Sequence, residues 1–95
     1  MKINKGDTVT LVTHIGEIVG RLKTEDPNSI VLSNPRLFVQ QTDGAGFAPG
    51  ICMTGELEPD ELTFNRESIV CMSKTNDAIE KGWISATSGI QLAGV

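Results

Sequence analysis

Gly20-Arg21-Leu22-Lys23-Thr24-Glu25-Asp26-Pro27-Asn28-Ser29-Ile30-Val31-Leu32 reads as strand, turn, strand. The turn is set by three residues. Pro27 fixes its own φ, while Asp26 and Asn28 tolerate turn geometry and bond nearby backbone. Upstream, residues 17–25 (EIVGRLKTE) alternate: Ile18, Gly20 and Leu22 share one face, and Glu17, Val19, Arg21 and Lys23 share the other. Period two is the signal of a half-buried strand. Gly20 is an unusual strand-interior residue, and its common reasons are a sharp bend or a close approach of another backbone. A strongly bent second strand is a device of small barrels. Downstream, residues 29–33 (SIVLS) form a short third strand that Asn34-Pro35 is expected to break, with 37–41 (LFVQQ) as its continuation or extension.

Working outward toward the N-terminus, residues 7–14 (DTVTLVTH) alternate again, with Val9 and Leu11 against Thr8 and Thr10. Gly16 marks a tight connection to the next strand. Toward the C-terminus, residues 42–60 (TDGAGFAPGICMTGELEPD) hold four of the ten glycines and two prolines. They are read as a long exposed insertion loop, with a hairpin at Ile51–Met53. Long loops in compact domains are commonly functional or mobile. Strand character returns at 61–65 (ELTFN) and 68–73 (SIVCMS). Asp77 to Glu80 has capping-box spacing and Gly82 suits a helix stop, so a helix of about two turns is expected there. Residues 82–95 carry no charge and include Trp83, the only tryptophan. Such a segment packs on its own domain or on a neighbour.

The whole-chain numbers agree with one small domain over residues 1–95. A chain this short buries only about 60–65% of its unfolded surface, so self-association would help it. The formal net charge is −4, from 8 basic and 12 acidic residues. That argues against indiscriminate nucleic-acid binding, where phosphate neutralisation dominates affinity, but leaves room for a small basic site. Cys52 and Cys71 form no metal-ligand spacing and are read as reduced, partly buried thiols. The opening MKINKGD lacks the apolar core of a signal peptide, and no window supplies the ~18 apolar residues of a membrane span. The expected compartment is the cytoplasm, with no membrane partner.

The motif order resembles the Sm-like (LSm) family, and within it the bacterial Hfq branch more than the eukaryotic one. The first family motif is a bent strand with Gly-x-hydrophobic, an Asp six residues after the Gly, then an apolar strand. Gly20, Leu22, Asp26 and Ile30-Val31-Leu32 stand at that spacing. The second motif places a basic residue just before the last strand, and Phe64-Asn65-Arg66-Glu67-Ser68-Ile69-Val70 is similar to it. The resemblance covers roughly residues 7–33 and 61–73. It departs from the Sm type at Ile30, where that type has Asn, and at Asn28, which offers no stacking surface where the family has an aromatic or His. The family's N-terminal helix has no room before Asp7; a C-terminal helix takes its place.

The resemblance implies a mainly β fold, a small five-stranded, strongly bent SH3-like or Sm-like barrel, with the long loop before its fourth strand and a short C-terminal helix. It implies a homo-oligomeric ring of about five to seven subunits closed by a heterologous contact. The fourth strand of one protomer pairs with the fifth of the next. It further implies binding of short single-stranded RNA near the pore. Asp26 braces the turn, Asn28 and Asn65 read a base edge, and Arg66 meets a phosphate or base. The competing expectation is the same ring serving as a protein-interaction or structural module without RNA. Its support is the net charge and the missing stacking residue, with Arg66 then spent on a salt bridge to Glu67 or to the partner subunit's Asp26.

Other residues read more simply. His14 sits at a strand end with no nucleophile motif around it, and starts no triad. Glu56, Glu58, Asp60 and Glu61 form a solvated acidic loop without EF-hand spacing. Phe47 and Trp83 are able to stack on bases, but Trp83 is better placed to anchor the tail. No phosphate-cradling glycine motif, metal-ligand spacing or paired-acid pocket is present. No enzymatic activity, metal or cofactor is therefore expected.

Overall fold

The structure, a computed structural model, describes residues 2–88. It is mainly β: one antiparallel sheet of six strands and one C-terminal helix. The strands are β1 (Thr8–Thr13), β2 (Gly16–Glu25), β3 (Ser29–Gln41), β4 (Gly44–Phe47), β5 (Glu61–Asn65) and β6 (Ile69–Lys74), followed by α1 (Asp77–Thr87). The pairing path is β4-β3-β2-β1-β6, with β5 also paired to β3. β3 is long enough to serve two partners along one edge. Its first half takes β5, from Ser29↔Asn65 to Ser33↔Glu61. Its second half takes β4, from Phe38↔Phe47 to Gln41↔Gly44.

The alternation read from the sequence sets the core. Val9, Leu11, Ile18, Leu22, Ile30 and Leu32 form one cluster, each at most 1% exposed. Leu37, Phe64, Ile69 and Met72 pack against it. Val19 is buried outside this cluster, on the β2 face it shares with Arg21, and Trp83 of α1 is buried as well. The indole N–H donates to the Asn34 carbonyl at 3.0 Å, and the Arg21 guanidinium stands 5.3 Å from the ring centroid.

Gly20 is where β2 comes closest to β3. A Cβ there would meet Leu32 Cβ at 3.0 Å and the Ser33 carbonyl at 3.1 Å. Opposite it, the β2–β3 register slips between Val19↔Arg36 and Arg21↔Ser33. The extra residue falls at Asn34-Pro35, and Asn34 takes the left-handed conformation, φ 50°. Pro lacks the N–H that an unbroken ladder needs, so a bulge is the place a strand tolerates it. The dipeptide expected to end the strand therefore bends it and lets it run on to Gln41.

Five further expectations need correction. The ladder does not close into a barrel: among the described residues β5 pairs only with β3 and β6 only with β1. A single 3-10 turn, Arg66–Ser68, joins β5 to β6 end to end, so the two do not lie side by side. There are six strands, not five, because part of the insertion is β4. The hairpin is closed by Thr42-Asp43 and held by a 5.3 Å edge-on contact of Phe38 with Phe47, while Ile51–Met53 form no strand. Both cysteines are exposed rather than partly buried. The helix is capped one residue earlier than expected, by the Asn76 side chain accepting from Ile79 N–H at 2.9 Å, and it passes through Gly82. The part of the uncharged tail at 89–95 lies outside the described residues.

Gly82 yields a direct expectation. Glycine inside a helix costs about 0.8–1 kcal/mol relative to alanine. An added Cβ would meet only the Phe47 ring, at 3.6 Å. Gly82→Ala should raise stability by up to about 1 kcal/mol, read as a higher urea midpoint with an unchanged m value.

Candidate functional site

The four residues singled out from sequence come together at one rim of the sheet. The Ser29↔Asn65 pairing places the β2–β3 turn beside the β5–β6 turn. The Arg66 backbone N–H then donates to the Asn28 carbonyl at 2.9 Å.

Asp26 braces its turn. One carboxylate oxygen accepts from the backbone N–H of Asn28 at 2.7 Å and of Ser29 at 2.8 Å. The other accepts from the Ser29 hydroxyl at 3.2 Å. These bonds favour the ionised form, so the amides of Asn28 and Ser29, with a smaller contribution from nearby Arg66, hold the Asp26 carboxyl below its ordinary range. A group whose folded pKa is depressed adds stability above its unfolded pKa of about 3.9, and that stability is lost as pH falls toward the folded value. Asp26→Asn keeps an acceptor oxygen but removes the titration. It should unfold more easily than the parent near neutrality, and the gap in urea midpoints should narrow steadily below about pH 4.

Arg66 is engaged from two sides. Its Nε donates to the Asp26 carbonyl at 3.0 Å, and a terminal nitrogen pairs with Glu25 at 2.7 Å. Both side chains are more than a third exposed, 40% for Arg66 and 36% for Glu25. An exposed pair of this kind contributes only about 0–1 kcal/mol, so an incoming anion can displace Glu25 at little cost. Asn65 caps the 3-10 turn, its Oδ1 accepting from Glu67 N–H at 3.3 Å. The Asn28 side chain is exposed. Two carboxylates, Glu25 and Asp26, stand near the Arg66 guanidinium. Lys23 is paired with Glu61.

Glu25 is the site residue that sequence reading missed. The sequence pointed to Glu67 or a partner subunit as the counter-charge to Arg66. Glu25 lies 41 positions away and arrives only because β3 carries β2 on one edge and β5 on the other. No local signal announces that. His14 is exposed in the β1–β2 turn, and the acids of the 42–60 segment gather no metal centre: among the described residues no group of three or more His, Cys, Asp or Glu is placed to hold an ion. Among the same residues no helix is long and apolar enough to cross a membrane. No protein-family model and no curated protein matches the chain.

Proposed function

We propose that the chain is a subunit of an Sm-like ring that binds short single-stranded RNA at the rim built by Asp26, Asn28, Asn65 and Arg66. The observation that carries the ring is the pair of open strand edges. β6 ends the pairing path and β5 branches from β3 beside it, each with its outer edge unpaired among the described residues, and Val70 on β6 is 64% exposed. Open edges are a liability that a protein covers or pairs. Pairing β6 of one copy with β5 of the next is a heterologous contact, and repeating it around an axis closes a ring. The inserted β4 makes these the equivalents of the fifth and fourth family strands. Each subunit then brings one rim to the pore. At that rim Arg66 meets a phosphate by exchanging Glu25 for it, and Asn28 and Asn65 offer hydrogen bonds to base edges. Without an aromatic platform the site forgoes about 1–3 kcal/mol of stacking per base, so affinity rests on repetition around the ring.

The second reading, a ring that serves as a protein-interaction or structural module, draws on the same rim. Glu25 already neutralises Arg66, and the chain carries a net charge of −4. Native mass spectrometry with a short uridine- and adenosine-rich RNA separates the two. A closed oligomer that holds RNA, and releases it as salt rises, supports the first. Arg66→Ala should then weaken binding about tenfold or more, the size of one charge-assisted hydrogen bond, and Glu25→Gln should strengthen it. A closed oligomer indifferent to RNA selects the second reading, and a monomer sinks both.

A further inference from the structure

Between Arg36 and Arg66 the chain has no basic residue and five acids, Asp43, Glu56, Glu58, Asp60 and Glu61. Residues 48–60 of this stretch form no strand, yet they are fastened to β3 at both ends. Ala48 N–H donates to the Leu37 carbonyl at 2.9 Å, Leu37 N–H to that of Gly50 at 3.3 Å, and Asn34 N–H to that of Asp60 at 2.7 Å. Pro59 is fully buried. Gly50 is buried so tightly that a Cβ would stand 2.1 Å from the Leu57 carbonyl oxygen. The segment is therefore a built loop folded on itself, with a defined shape.

That shape encloses an open apolar cavity of about 460 Å³ whose lining includes Leu37, Pro49, Ile51, Met53 and Leu57, with Glu58 at its wall. The volume is within the range of about 300–1,000 Å³ typical of ligand pockets. Met53 is 92% and Leu57 61% exposed. Large apolar side chains turned outward around a cavity mark a binding surface, and methionine suits one by its adaptability. Glu56, Glu58 and Asp60, all exposed, bracket Leu57.

We propose that this loop docks a peptide segment of a partner protein that presents an apolar side chain flanked by lysine or arginine. The apolar cavity takes the anchor, and the acids, with no basic residue in the loop to offset them, select the flanking charge. The surface is separate from the Arg66 rim and does not rest on the RNA reading.

The test is a displayed random-peptide library selected on the full chain and counter-selected on Met53→Glu/Leu57→Glu. Both positions are exposed, so the variant's thermal unfolding should match the parent's. Enriched peptides should pair an apolar residue with lysine or arginine. Made synthetically and followed by fluorescence anisotropy, they should bind the double variant at least tenfold more weakly and lose affinity as salt rises. Gly50→Ala, which forces the loop open while leaving Met53 and Leu57 in place, should weaken them as well. No enrichment, an acidic or uncharged consensus, or equal binding to parent and double variant would overturn the proposal. So would a drop in assembly mass on introducing the double substitution, since the occupant would then be a second copy of the chain.

Discussion

Trp83→Ala is expected to free α1 from the sheet and to lower stability by about 3–5 kcal/mol, the range for truncating a buried tryptophan. The side chain is 2% exposed, and three things depend on it. Its own buried packing is lost. Arg21 loses the ring it stands over. The Asn34 carbonyl loses its indole donor, at the one residue other than glycine with positive φ among those described. Asn34 also donates to the Asp60 carbonyl, so the disturbance should reach the far end of the 48–60 loop. Urea unfolding followed by far-ultraviolet circular dichroism measures the loss, since the variant has no tryptophan or tyrosine left to report by fluorescence. Trp83→Phe retains most of the packing and lacks only the N–H, so its cost should be nearer the about 1–3 kcal/mol of one unsatisfied buried acceptor. Hydrogen exchange should show α1 and the amides of Asn34 opening together in Trp83→Ala. A loss below about 1 kcal/mol would mean that the helix is peripheral to the fold.

The strands that carry the core were legible because their chemistry is local. Period-two alternation set β1 and β2, the Asp26-Pro27-Asn28 turn set the hairpin to β3, and Gly20 announced a close approach, which Leu32 and Ser33 make. The anchoring role of Trp83 was legible too. The failures came where tertiary contact overrides local preference. Gly44-Ala45-Gly46-Phe47 has no β-branched residue and no alternation, and forms β4 through the Phe38–Phe47 contact and the free half of the β3 edge. Asn34-Pro35 has the chemistry of a strand end and becomes a bulge because Gly20 opposite it yields room. Gly82 has the chemistry of a helix end, but burying Trp83 one residue later carries α1 past it. At the rim, Asp26, Asn28, Asn65 and Arg66 were singled out from motif order, whereas Glu25 was not, since nothing near Arg66 in sequence points to it. Arg36 was equally silent: it is 5% exposed, with a guanidinium nitrogen bonded to the Pro35 carbonyl beside it.

The second large effect is expected at Leu32, and it tests the close approach at Gly20. Leu32 is fully buried and pairs with Leu22 on one side and Leu62 on the other, so Leu32→Ala removes methyl groups from the middle of the core at a cost of about 2–5 kcal/mol. Its Cβ and Cδ1 are also what a side chain at position 20 would strike, at 3.0 and 3.1 Å. Gly20→Ala alone should overpack this waist and cost about 1–3 kcal/mol. In the Leu32→Ala background the Cδ1 obstacle is gone and the new methyl enters the space left behind, so the two losses should not add. A double-mutant cycle should return a favourable coupling of about 0.5–3 kcal/mol. All four proteins have to be compared at one concentration, because assembly would make apparent stability concentration-dependent. The Cβ that alanine keeps at position 32, 3.0 Å from the new methyl, and the Ser33 carbonyl at 3.1 Å keep the relief incomplete, and the double variant should remain less stable than the parent. Strict additivity would mean that the Leu32 side chain beyond Cβ does not press on position 20, and the close approach at Gly20 would then be one of Cβ and backbone alone.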